Sequence, residues 1–178
     1  MVTCALALVP GGGAGLAAQA PRPSEYQVKA VFLFNFAQFV DWPPEAVADS
    51  QAPLVIGVLG EDPFGDLLDA TVRGEHRATR SFVVRRYQRV EDVKSCDILF
   101  ISRPDADRPE GVLAGLKNRP ILTVSDAEGF AEHGGMIGFV NDRNRIRLKI
   151  NLAVAQAAHL TISSKLLRVA EIINPPGP

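Results

Sequence analysis

Pro53-Leu54-Val55-Ile56-Gly57-Val58-Leu59-Gly60 is an unbroken apolar run closed by proline and glycine. A strand with one wet face alternates apolar and polar side chains. A run with no polar member belongs in a sheet covered on both faces, the usual setting of parallel strands. Similar short runs follow at residues 81–87, 96–102 and 121–125. Between them lie helical segments, a short one opened by Asp62-Pro63-Phe64 and an amphipathic one over 107–118 with Val112, Leu113 and Leu116 inward. Strands alternating with helices predict βαβ units and a mostly parallel sheet. After residue 134 the pattern changes. Residues 136–140 and 145–150, joined by Asn141-Asp142-Arg143-Asn144, read as a hairpin. Its second arm puts Ile146, Leu148 and Ile150 on one side and Arg145, Arg147 and Lys149 on the other. Asn151 starts a helix to residue 158, and Ser163 caps a final one over 165–173. The expected fold is one α/β domain over 21–174, a three-layer, Rossmann-like sandwich with an antiparallel hairpin at one edge. The Pro-rich residues 175–178 form a tail.

Upstream of the first strand, residues 24–43 predict a helix. Ser24 and Gln27 have capping-box spacing, and Pro43-Pro44 stop the chain from continuing as a helix. Val28, Phe32, Phe36, Phe39 and Val40 recur as one apolar face, which leaves Phe34 behind among Ala30, Ala37, Gln38 and Asp41. Two explanations of Phe34 stand open. Another layer of the same domain covers it, as for most helices that are apolar all round, or it belongs to a partner-binding patch with Gln38, Asp41 and Trp42. Lys29, Asn35, Gln38 and Asp41 interrupt the run, so the helix does not enter a membrane.

The 178 residues are 47% hydrophobic with a net charge of −1, enough for one real core and too neutral for a nucleic-acid binder. Residues 1–20 carry no charge and end in Ala18-Gln19-Ala20. They read as an export signal cleaved after Ala20 and truncated at its front, since the positive n-region is missing. Cleavage removes Cys4 and leaves Cys96 alone, without an intrachain disulfide partner.

No catalytic, cofactor or metal constellation emerges. Gly57, Gly60 and Gly65 match neither dinucleotide nor phosphate-loop spacing and read as a structural turn. His76, His133 and His159 lack ligand spacing, and Asp126, Glu128 and Glu132 read as solvated loop carboxylates. The basic hairpin holds more. Arg145 and Arg147 are suited to an anionic ligand beside Gly134-Gly135; charges that keep an edge strand from pairing are the competing reading.

The chain resembles the YfiR-like family over nearly the whole mature length. The resemblance runs through Tyr26-Gln27-Val28-Lys29-Ala30, the first strand with Asp62-Pro63-Phe64, and Cys96-Asp97-Ile98-Leu99-Phe100-Ile101-Ser102. It continues through Leu122-Thr123-Val124-Ser125-Asp126, Gly134-Gly135-Met136-Ile137-Gly138-Phe139 and Ile162-Ser163-Ser164-Lys165-Leu166-Leu167. It implies a non-enzymatic periplasmic repressor that binds the periplasmic sensory domain of an inner-membrane diguanylate cyclase and limits cyclic di-GMP synthesis, hence biofilm formation. It also implies that a peptidoglycan-binding lipoprotein of the outer membrane draws the repressor away. A homodimer stays open. Better-known members pair cysteines, which Cys96 alone does not do. The alternative is a periplasmic sensor of a small anionic ligand.

Overall fold

The computed structural model describes residues 23–173 except 48, 50, 108 and 144. Helix α1 (Glu25–Phe39) opens with the expected capping box: the Ser24 hydroxyl accepts from the Gln27 backbone, and the Gln27 side chain accepts from the Ser24 backbone. The chain leaves it as β1 (Val40–Asp41), then β2 (Leu54–Leu59), α2 (Asp66–Val72), β3 (His76–Arg77), β4 (Arg80–Tyr87) and β5 (Ile98–Ile101). Next come α3 (Arg103–Ala106), α4 (Pro109–Gly115), β6 (Leu122–Ser125), β7 (Ile137–Asp142) and β8 (Arg145–Asn151). The chain closes with α5 (Leu152–Ala157), β9 (Thr161–Ile162), α6 (Ser164–Leu167) and β10 (Glu171–Ile173).

Eight strands form one sheet in the order β10-β8-β7-β6-β5-β2-β4-β3. The five from β4 to β7 are parallel, β8 turns back against β7, and β10 runs parallel to β8. β1 and β9 make a separate antiparallel pair. The architecture is a mostly parallel α/β sandwich of three layers. Every residue of β2 is buried, and its side chains divide by the period of two. Leu54, Ile56 and Val58 join Ile98, Phe100, Leu122 and Val124 beneath α1 and α2. On the other face Leu59 joins Leu99 and Ile101 in a smaller cluster that includes Ala106, Leu116 and Phe130. Gly57 lies on that second face, where a Cβ would sit 2.8 Å from Cys96 Sγ, Leu99 Cδ1 and Tyr87 Cε2. The glycine makes room for the thiol.

Three local expectations change. The buried residues of α1 are Lys29, Ala30, Leu33, Phe36 and Ala37, so the helix is rotated from the face marked by Val28, Phe32 and Phe39. Those three are half-buried flanks. Small Ala30 and Ala37 let the backbone approach the sheet, and aromatic side chains cover both sides: Phe32 and Phe36 lie 5.9 and 6.0 Å from Phe139, Phe34 5.1 Å from Phe82. The helical segment expected over 107–118 is the shorter α4 (Pro109–Gly115), and a separate turn, α3 (Arg103–Ala106), precedes it. The last helix, expected over 165–173, is a single turn at Ser164–Leu167, after which Glu171–Ile173 pairs with Lys149–Asn151 of β8. β-branched Ile172 and Ile173 suit that strand, and pairing satisfies backbone groups that would otherwise end the sheet there. The expected export signal and proline tail lie outside the described residues.

Candidate functional site

The residues proposed for a partner gather where α1 runs into β1. Phe34 and Gln38 are one helical turn apart, the spacing that places side chains on a common face. Phe34 is half-buried and meets the Phe82 ring edge-on, at 62°, so the other layer covers it, and it is not a free aromatic. Gln38 and Asp41 are exposed. Asp41 Oδ1 accepts from Arg77 Nη2 at 2.8 Å, which ties β1 to the outermost strand β3. Trp42 departs furthest from a surface contact: it is only 7% exposed, within the main core. The Arg77 guanidinium lies over its ring, 5.4 Å from the centroid. Its indole Nε1 is buried with no hydrogen-bond partner among the described residues. Arg77 carried no signal in the sequence, because it is 35 positions downstream in a short polar loop with no pattern of its own.

The hairpin arginines are not a pair, and they are not beside the glycines. Arg147 Nε donates to Asp142 Oδ2 at 2.7 Å, while Arg145 is exposed. Arg147 lies opposite Val140, well inside β7, whereas Gly135 precedes that strand. Gly135 instead packs against Phe130, where a Cβ would fall 2.1 Å from the ring. Arg145 does line a trough of about 750 Å³ with Arg143, Glu25, Val28, Phe32 and Ile146. Lys149, on the same face of β8, pairs with Glu132 at 2.6 Å.

A buried charge cluster stands at the carboxyl end of β6. Asp126, expected in a solvated loop, has its side chain 3% exposed. Its Oδ2 accepts from Lys29 Nζ at 2.5 Å and from the Tyr26 hydroxyl at 2.9 Å, and Arg103 Nε lies 3.4 Å from Oδ1. Lys29 is 1% exposed and also pairs with Glu25, one turn back on α1. Its ammonium stands 4.5 Å from the Tyr26 ring centroid. Burial opposes the Asp126 charge, but the hydrogen bonds and charges of Lys29, Tyr26 and Arg103 outweigh it and hold the carboxyl below the ordinary range. Burial, then the bond to Asp126, push the Tyr26 phenol up to about 12. The cluster borders a cleft of about 560 Å³, whose charged lining includes Arg103, Asp107, Glu128, Glu132 and Lys149. Charges paired this closely fasten α1 to the sheet.

Two further features bear on chemistry. The crevice between β2 and β5, where the strand order reverses and such folds commonly bind ligands, is filled by the start of α3. Gly60, at φ 84°, lies so close that a Cβ would be 2.0 Å from Asp105 Oδ2 and 2.4 Å from Ser102 Oγ. Cys96 is half-buried, its Sγ donating to the Ile98 carbonyl at 3.0 Å. Burial pushes its thiol up to about 12, so it stays protonated and unreactive near neutrality. Among the described residues no three His, Cys, Asp or Glu side chains are placed to hold a metal, and no helix is long and apolar enough to cross a membrane.

Against known proteins, no curated sequence matches the chain. Among solved structures, one similar in fold is from Streptococcus pneumoniae, described as an ABC domain in complex with L-Trp. The TM-score is 0.54 at 15% identity, over 83% of this chain and 60% of that one. The likeness is one of fold, and this chain spans less than two thirds of that protein. The YfiR/HmsC-like sequence pattern matches residues 26–171. That stretch begins at Tyr26, whose hydroxyl meets Asp126, and ends at Glu171, the first residue of β10, so it takes in all of α1 but Glu25 and every strand of the sheet before β10. The chain belongs to the YfiR/HmsC-like family.

Proposed function

We propose that this chain is a non-enzymatic periplasmic repressor that binds the periplasmic sensory domain of an inner-membrane diguanylate cyclase and lowers cyclic di-GMP synthesis. The family match over residues 26–171 carries this reading, because the family is regulatory and consistent with control of diguanylate cyclases. The geometry is in keeping with it: the switch-point crevice is filled by side chains, and the charged cluster is paired within the protein. The partner face is placed at the end of α1, with Gln38 and Asp41 exposed and Phe34 and Trp42 behind them. An outer-membrane, peptidoglycan-binding lipoprotein that competes for the repressor completes the proposed circuit. The test is capture of a membrane cyclase by tagged residues 21–178, with cyclic di-GMP measured in cells that carry or lack the chain. A retained cyclase and a rise in cyclic di-GMP on deletion are expected. No retained cyclase and an unchanged nucleotide level would sink the proposal.

A second reading, a sensor of a small anionic ligand, draws on the trough beside Arg145, where cationic Arg143 and Arg145 face apolar Val28, Phe32 and Ile146. Thermal shift with carboxylate metabolites, L-Trp among them, tests it. A ligand at 100 times its dissociation constant stabilises by about 2.7 kcal/mol, and no shift in wild type, or an equal shift in Arg145→Ala, removes this reading.

A further inference from the structure

Trp42 is the only tryptophan in the chain, and its Nε1 is the one buried side-chain polar atom without a hydrogen-bond partner among the described residues. A buried donor without a partner keeps the cost of its lost hydration, so such a group calls for an explanation beyond packing. Arg77 lies above the ring and is held by Asp41, whose side chain is 75% exposed. The Arg77 side chain is itself 25% exposed, and an ion pair that water reaches contributes little, so the guanidinium can pass to another carboxylate. β3, which carries Arg77, is the last strand of the sheet, the position at which an extended polypeptide adds by strand pairing.

We propose that this corner is a docking surface for an acidic, extended segment of a protein partner. A partner carboxylate takes Arg77 from Asp41, the guanidinium lifts from the indole, and the Trp42 N–H gains an acceptor from the incoming chain. Both groups that change partners are donors, an indole N–H and a guanidinium, so the complementary group is a carboxylate or carbonyl oxygen. Tryptophan and arginine are also among the residue types in which interface binding energy concentrates. The inference deepens the repressor reading and rests on it: the segment belongs to the cyclase's sensory domain.

The test labels Trp42 with 5-fluorotryptophan, which gives a single fluorine resonance at the site, and titrates residues 21–178 with the purified periplasmic domain of the captured cyclase. The Trp42 resonance is expected to shift on binding. Arg77→Ala, whose partner is exposed and whose fold is not at risk, is expected to weaken binding at least about ten-fold, the loss typical of an interface anchor. Arg145→Ala, on the hairpin, is expected to bind like wild type. If wild type binds while the resonance stays still and Arg77→Ala binds equally well, this surface is wrong and the repressor reading survives. If wild-type protein binds no cyclase domain, the repressor reading falls and takes this surface with it.

Discussion

The two ends of helix α1 are both fastened by an ion pair, and the two pairs are of opposite kinds. At its start Lys29 and Asp126 are closed off from water and backed by Tyr26 and Glu25. At its end an exposed Asp41 meets a half-buried Arg77 above a tryptophan whose donor has no partner among the described residues. A buried pair has already lost its hydration, so removing one partner strands the other in a medium that cannot solvate it. An exposed pair exchanges its partner for water or for another protein at little cost. The first end is built to hold and the second to trade.

Breaking the buried pair tests the first half of that contrast with the largest effect. Lys29→Met should destabilise the domain by about 3–5 kcal/mol in urea denaturation, since Asp126 then stays buried beside a thioether. The double variant Lys29→Met/Asp126→Leu should recover most of that loss, because apolar replacement of both partners is often nearly neutral. A double variant as unstable as the single one would mean that the cluster does more than compensate itself.

Phe34→Asp comes next. With Phe34 edge-on to Phe82, a carboxylate there should cost about 2 kcal/mol through lost ring contact and desolvation. A folded variant of wild-type stability would put Phe34 back on the surface.

The contrast also has a signature in pH. The Asp126 value is depressed on folding, so its contribution is complete above the ordinary aspartate value of about 3.9 and is lost as pH falls through the depressed one. Melting temperature should therefore hold from pH 7 to about 4 and then drop, with a shallower drop in Asp126→Asn. Equal slopes in the two proteins would show that other carboxylates govern acid unfolding. The smallest effect belongs to the exposed end: Arg77→Ala should change stability by less than about 1 kcal/mol. A larger loss would make Arg77 a structural clamp on Trp42.

Much of this was legible along the chain. The Ser24/Gln27 box begins α1 as its spacing requires. The four apolar runs became β2, β4, β5 and β6, and the expected hairpin is there as β7 and β8, whose pairing runs on through Asn141 and Asp142, two residues of the expected turn. Each of these signals is local, a matter of neighbours within a few residues. What failed was orientation. α1 is apolar on every side, so periodicity alone could not say that Ala30 and Ala37 face the sheet while Phe32 and Phe34 brace its flanks. Residues 171–173 have the composition of either a helix end or a strand, and the unpaired end of β8 chose the strand.

The candidate site divides in the same way. Residues 34–42 drew notice as a run, for Phe34 and Trp42 among polar neighbours. Arg77 did not, and Asp126 read only as a solvated loop carboxylate, because each acts on α1 from a distant part of the chain, Arg77 35 residues beyond Trp42 and Asp126 97 beyond Lys29. Apolar periodicity, caps and turn residues by themselves determined an α/β domain with a parallel core, since those signals act through neighbouring residues and the pleat. Only the tertiary structure decided which charges are buried and which remain open, since the cost of a charge depends on how much water the rest of the fold leaves around it.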